Sequence, residues 1–205
     1  MINSIKVFDN IIPLESQDKI LNYVLNKKDN WKYYDNINYV KNLKFNYPAN
    51  SLHGDFIDDD IKNIINNIED SVVFKLGSKK LMNYRYKINW QTPYETHHDE
   101  DYFLNGLHID KVISHIAMVY YINDTDGDTM IYEDTEMTNS ALISKKIEEN
   151  NFSTFKLQQR VSPKKGRLVV FDGKFPHYAL YPTVADRYII NFNLVIDSNS
   201  NKTLI

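Results

Sequence analysis

The sequence predicts an α+β domain in which helices come first and pack on one side of an antiparallel sandwich or barrel. Two segments before residue 80 repeat apolar residues at helical spacing, and alternating β-branched and aromatic segments follow from residue 81. No βαβ alternation occurs, so a parallel sheet is not expected. The 205 residues are expected to form a single domain: about 1–80 mainly helical support, about 81–197 a strand-rich core, and a C-terminal tail.

The first helix is expected in "LESQDKILNYVLNKK" after Pro13, where Ile20, Leu21, Val24 and Leu25 form one stripe and Ser16 offers an N-cap. The aromatic, turn-rich stretch "NWKYYDNINYVKNLKFNYPANSLHGD" admits strands without defining them. A second helix is expected in "DDDIKNIINNIEDSVVFKLG". It opens on acids that suit a helix N-terminus, sets Ile61, Ile64, Ile65, Ile68 and Val72 on one face, and stops before Gly77. Strands are then expected in "LMNYRYKINWQ", "ISHIAMVYYIN", "TMIYE", "GRLVVFDG" and "DRYIINFNLVI". The turn "DTDGD" separates the second from the third.

With 42% hydrophobic and 25% charged residues the chain is too apolar for disorder. A net charge of −3 exerts no global pull on phosphate backbones, so nucleic acid is not an expected partner. The start "MINSIKVFDNIIPLE" lacks the apolar core of a signal peptide, and no run approaches the roughly 18 apolar residues of a membrane span. The expected setting is therefore the cytoplasm, without a membrane partner. There is no cysteine, which removes disulfides, thiolate nucleophiles and cysteine zinc sites. Any metal must be held by His, Asp and Glu.

Six histidines are present, and two lie in "YETHHDEDYF", residues 94–103. On a strand, positions i and i+2 share a face, so His97 and Asp99 can aim an imidazole and a carboxylate at one point. His108 and Asp110 repeat the spacing. Alone, either pair reads as polar side chains facing solvent, since the spacing recurs by chance in many proteins. The far end of the chain adds "GRLVVFDGKFPHYALYPTVADRYIINF", in which a strand leads to His177 and a second strand opens with Arg187. Two histidines and one carboxylate on one side of a metal leave positions open, which suits non-haem iron(II) and oxygen. A neighbouring guanidinium offers a bidentate clamp for a small acid. His115, inside an apolar strand, reads as a core or barrel-lining residue, and His53 as surface.

The pieces "HHD", "VYYIN", "DGDT", "SPKKGRLVVF", "PHY" and "DRY" follow one another over residues 84–193. In that order they resemble the iron(II)- and 2-oxoglutarate-dependent oxygenases of the prolyl 4-hydroxylase type. Departures are Asp128 where Glu is usual, Asp126 in place of the first Gly of the turn, and the doubled histidine. The resemblance implies a double-stranded β-helix, or jelly-roll, with N-terminal supporting helices. It also implies iron(II) held by His97, Asp99 and His177, and 2-oxoglutarate anchored by Arg187, with Tyr121 and Tyr86 as further residues of that pocket and Asn191 and Asn193 near it.

The choice of the first ligand pair rests on chain length. Only Lys111, Val112 and Ile113 separate Asp110 from Ser114, where the next strand is expected to begin, whereas Asp99 is followed by ample loop. That favours His97 and Asp99 and leaves His108 and Asp110 as the alternative. His98 with Glu100 would point to the opposite face. The acidic segment "DEDYFLNGL" is placed to act as a substrate lid.

The implied reaction consumes 2-oxoglutarate and O2 and hydroxylates a C–H bond of a prolyl or other amino-acid residue, peptidyl or free, giving succinate and CO2. Ascorbate is expected to support it. Alternatives are a small-molecule or nucleobase substrate with the same cofactors, or a jelly-roll that binds a ligand without turnover.

Overall fold

The computed structural model describes residues 4–27, 32–34, 49–53, 58–77, 81–93, 107–110, 113–133 and 155–196. In chain order the elements are β1 (Lys6–Phe8), α1 (Leu14–Asn26), β2 (Lys32–Tyr34), β3 (Ala49–His53), α2 (Asp59–Lys75), β4 (Leu81–Gln91), β5 (Ile116–Tyr121), β6 (Thr129–Tyr132), β7 (Leu157–Val161), β8 (Leu168–Asp172), β9 (His177–Ala179) and β10 (Arg187–Ile196). All their pairings are antiparallel. A seven-stranded sheet runs β1-β8-β5-β10-β4-β3-β2, and a three-stranded sheet runs β7-β6-β9. The two sheets enclose Ala117, Val119, Tyr121, Ile131, Val161, Val169, Phe171 and Ile189, the inner core of a jelly-roll.

Alternation along each strand sets the outer face. Ile116, Met118, Tyr120, Leu168, Val170, Ile190, Phe192 and Leu194 of the large sheet share one cluster with Ile20 and Val24 of α1 and with the Ile61–Val72 stripe of α2. The five predicted apolar positions of α2 are all buried, and Asp58 caps that helix by accepting from the Ile61 N–H at 3.2 Å. The start of α1 departs from expectation. It begins at Leu14 behind Pro13, with no side-chain cap, because proline presets φ and has no N–H to satisfy; Ser16 lies inside the helix.

The strand expected to begin at Ser114 begins instead at Ile116. Three short strands escaped prediction, among them the three-residue β1. β7, "LQQRV", shows no hydrophobic alternation, and β9 spans three residues beside a proline loop. The outer side of the small sheet carries its own aromatic cluster, with Met130, Tyr132 and Tyr178 packed against Leu107, Ile109, Phe155 and Tyr181. Among the described residues, no helix is long and apolar enough to cross a membrane.

Candidate active site

His177 is placed by the turn that precedes it. The Phe175 N–H donates to the Asp172 carbonyl at 2.9 Å, and the Lys174 N–H donates to the Asp172 side chain at 3.1 Å. Gly173 lies against the ring of His115, where a Cβ would fall 2.1 Å from Nε2, so no side chain fits there. The Nδ1–H of the buried His115 donates to the Ile113 carbonyl at 2.8 Å. His177 is itself buried, its ring edge-on to Phe171 with centroids 4.9 Å apart. Its Nδ1 faces the Phe175 carbonyl at 2.9 Å and must carry the proton there, which leaves the Nε2 lone pair directed elsewhere.

Nε2 of His177 faces His108 and Asp110. The backbones of His108 and His177 exchange two hydrogen bonds of 3.1 and 2.9 Å, which bring the imidazoles to a centroid separation of 4.6 Å. Asp110 reaches His108 Nε2 at 3.6 Å with one oxygen and His177 Nε2 at 3.8 Å with the other. One donor atom from each of the three residues lies within 4.8 Å of the other two. Asp110 Oδ2 is buried without a hydrogen-bond partner among the described residues. A cation at the centre would satisfy it.

The charge states suit ligation. Burial and the neighbouring His108 lower the His177 pKa to about 4, against the pull of Asp110, so the ring is neutral near pH 7. For Asp110, burial opposes ionisation, but the interaction with His108 and the positive charge that His177 and His108 carry when protonated outweigh it and hold the carboxyl well below its usual range. His97 and Asp99, the favoured pair in the sequence, lie outside the described residues. Of the sequence-expected ligands, the structure brings His177 together with the alternative pair.

A second polar centre lies deeper in the barrel. Arg187 opens β10 opposite Gln91 and is 1% exposed. Its guanidinium donates to Gln91 Oε1 at 2.6 Å and to Thr129 Oγ1 at 3.0 Å, and stands 5.6 Å from the Tyr121 ring centroid. The Tyr121 hydroxyl donates to the same Thr129 oxygen at 2.7 Å. Nε of Arg187 is buried and unpartnered, and among the described residues no carboxylate is within ion-pair distance of it. Asp128, the nearby acid, is held by Arg160. Burial pulls the Arg187 pKa down, yet a guanidinium stays charged, so the site has a buried cation without its anion.

The turn at 123–128 holds this cation in place. Asn123 donates to the Asp186 carbonyl at 2.7 Å and accepts from the Tyr188 N–H at 2.9 Å, tying the end of β5 to the start of β10. Asp126 accepts from the Thr183 and Val184 N–H groups at 2.9 and 3.2 Å. Gly127, at φ 93°, is required because a Cβ would lie 2.9 Å from the Leu180 carbonyl and 3.2 Å from Arg187 Cδ. The departures at Asp126 and Asp128 thus have partners of their own. Tyr86 is not brought to Arg187: it lies against the outer cluster, with its ring 6.5 Å from that of Phe192. Thr129 and Gln91 were not singled out in the sequence, since a threonine and a glutamine on strands become informative only once Arg187 is seen between them.

The family model of the 2OG-Fe(II) oxygenase superfamily matches residues 81–195, more than half of the chain and all the strands that carry these groups. The chain belongs to the 2-oxoglutarate- and iron(II)-dependent oxygenase superfamily. The oxygenase is similar in fold to a prolyl hydroxylase of Trichoplax adhaerens, solved with a hypoxia inducible factor oxygen degradation domain peptide. That match has TM-score 0.61 and 17% identity, and covers 94% of this chain and 83% of that chain. A prolyl-4-hydroxylase of Pseudomonas putida matches at TM-score 0.53 and 11% identity over 95% and 93% of the two chains. The alpha ketoglutarate dependent carbocyclase SnoK of nogalamycin biosynthesis matches at TM-score 0.61 and 10% identity over 93% and 78%. No curated protein sequence matches the oxygenase. Membership of the superfamily implies iron(II), 2-oxoglutarate and O2. The donors present fit them: neutral imidazoles and an orphaned carboxylate for the metal, and an uncompensated guanidinium for a carboxylate.

Proposed function

We propose that the oxygenase hydroxylates a C–H bond of an amino-acid residue, peptidyl or free, with His108, Asp110 and His177 holding iron(II) and Arg187 holding the distal carboxylate of 2-oxoglutarate. The observation that carries this is the pairing of a three-donor cluster with a buried cation that lacks an anion, both facing the inside of one barrel. Prolyl hydroxylases among the structural neighbours support the substrate class.

When bound, the iron supplies activation of O2 coupled to decarboxylation of 2-oxoglutarate to succinate and CO2. The chain's own part is positioning. The Phe175 carbonyl fixes the His177 tautomer, Asp110 contributes charge, and ligands on one side only leave coordination positions free. Arg187 gains a charge-assisted contact that repays its burial, with Thr129 and Tyr121 continuing the donor network. The inner apolar wall of Val119, Val169, Phe171 and Ile189 excludes water from the reaction.

Succinate release from 2-oxoglutarate with added iron(II) and ascorbate, and calorimetric metal titration, test the reading. Asp110→Ala and His177→Ala should each lose metal binding and turnover. Asp99→Ala should retain both; the opposite ranking of the two aspartates would move the ligand pair to His97 and Asp99. Arg187→Ala should raise the 2-oxoglutarate concentration needed by at least about tenfold, as expected for a charge-assisted contact of roughly 1.5–3 kcal/mol.

A further inference from the structure

The inner face of the large sheet is apolar along β5 and β8 but polar along β4 and β10, where a stripe of the amides Asn89, Gln91, Asn191 and Asn193 shares the face with Arg187 and with Lys87, the register partner of Asn191. Register places Gln91 opposite Arg187, Asn89 opposite Ile189, and Asn191 and Asn193 opposite Val119 and Ala117 of β5. Ala117 in turn pairs with Phe171, whose ring meets His177 at 4.9 Å. The stripe therefore runs from the anion pocket toward the candidate metal centre. Gln91 Oε1 is satisfied by Arg187. The Oδ1 atoms of Asn89, Asn191 and Asn193 are all buried with no hydrogen-bond partner among the described residues, and Asn193 is 3% exposed.

An unpaired buried carbonyl costs stability that a leucine of similar volume would not. Three on one stripe point to a complement that arrives from outside. 2-Oxoglutarate, fully ionised, offers only acceptors and cannot supply it. We propose that Asn89, Asn191 and Asn193 are the substrate-reading stripe of the pocket, and that they recognise a group rich in N–H donors. Such a group is an amide, guanidinium or ammonium on an amino-acid side chain, and the donor-free ring of a prolyl residue is disfavoured. This deepens the proposed function and rests on it.

The test measures melting temperature for the wild type and for Asn191→Leu and Asn193→Leu, alone, with Mn(II) and 2-oxoglutarate, and with N-acetyl-L-arginine, N-acetyl-L-glutamine or N-acetyl-L-proline added, the last of which has no N–H. Without ligand, each leucine variant should melt about 2–4 °C higher, since an unsatisfied group has been removed from a chain of this size. With Mn(II) and 2-oxoglutarate present, the arginine or glutamine derivative should stabilise the wild type and the proline derivative should not. The leucine variants should need at least tenfold more of the same derivative. If leucine fails to pack, the isosteric Asn193→Val and Asn193→Thr separate shape from polarity, and the valine form should be the more stable and the weaker binder.

Lower melting temperatures in both leucine variants together with a valine form less stable than the threonine form would make the amides structural and overturn the inference. So would preference for the proline derivative, no response to any of the three derivatives, or loss of the 2-oxoglutarate response itself in the variants. Failure of the wild type to respond to metal and 2-oxoglutarate would instead sink the proposed function, and the ligand-free comparison does not depend on that response.

Discussion

His177 carries two demands that a single imidazole meets only when buried. It must be neutral to ligate, and its proton must sit on Nδ1, where the Phe175 carbonyl accepts it. Burial lowers its pKa from 6.5 to about 4. Between those values the unfolded chain binds more protons than the folded one, so stability should fall as pH drops from about 6.5 to about 4. Asp110, with its pKa depressed, stays ionised through that window, and its own contribution is lost only below the ordinary carboxylate pKa of 3.8. Melting curves of the metal-free protein across this range should show the decline, and His177→Gln should flatten it. A slope unchanged by that substitution would assign the decline to other groups. His177 and Arg187 were legible in the sequence because each sits at a fixed place relative to an apolar strand. The choice between two His-x-Asp pairs was not, because it depended on where a strand begins.

At the scale of elements, the expected strand start at Ser114 and the observed start at Ile116 differ by two residues. A start at Ser114 leaves three residues after Asp110 for a crossing between sheets, and a start at Ile116 leaves five. Apolar pattern marks a strand's middle better than its end, since Ile113 looks like a strand residue and is half exposed. The join of β5 to β10 is made by Asn123, whose two hydrogen bonds of 2.7 and 2.9 Å cross from one strand end to the other. Asn123→Ala should cost about 1–3 kcal/mol in denaturant unfolding, because it removes the acceptor for the Tyr188 N–H and the donor to the Asp186 carbonyl. It should also weaken 2-oxoglutarate binding through the adjacent Arg187. A loss below about 0.5 kcal/mol would show that water replaces both bonds.

For the whole molecule, the helices matter by closing the outer face of the sheet whose inner face bears the site. Ile65 and Ile68 of α2 and Ile20 of α1 are fully buried in one cluster with Phe192 and Ile190 of β10, the strand that begins with Arg187. Ile68→Ala should lower unfolding free energy by about 2–5 kcal/mol, read from denaturant midpoints at unchanged slope. A cost below about 1 kcal/mol would mean that α2 is not bound into the core. On α1 the expected stripe is buried at Ile20 and Val24, while Leu25 is exposed and Gln17 is buried instead. Period and composition by themselves determined the α+β class, the two helices, the buried face of α2, the five main strands and the requirement that any metal be held by His, Asp and Glu. These are local properties: a 3.6- or 2-residue period is written in neighbours, and absent cysteine is absent everywhere. Only the tertiary structure decided that His108 and Asp110 meet His177, that Arg187 lies between Gln91 and Thr129 without an anion, and that three asparagines form one stripe. Those facts come from pairings between strands far apart in the chain, where register and crossing length, not sequence spacing, set which side chains share a face.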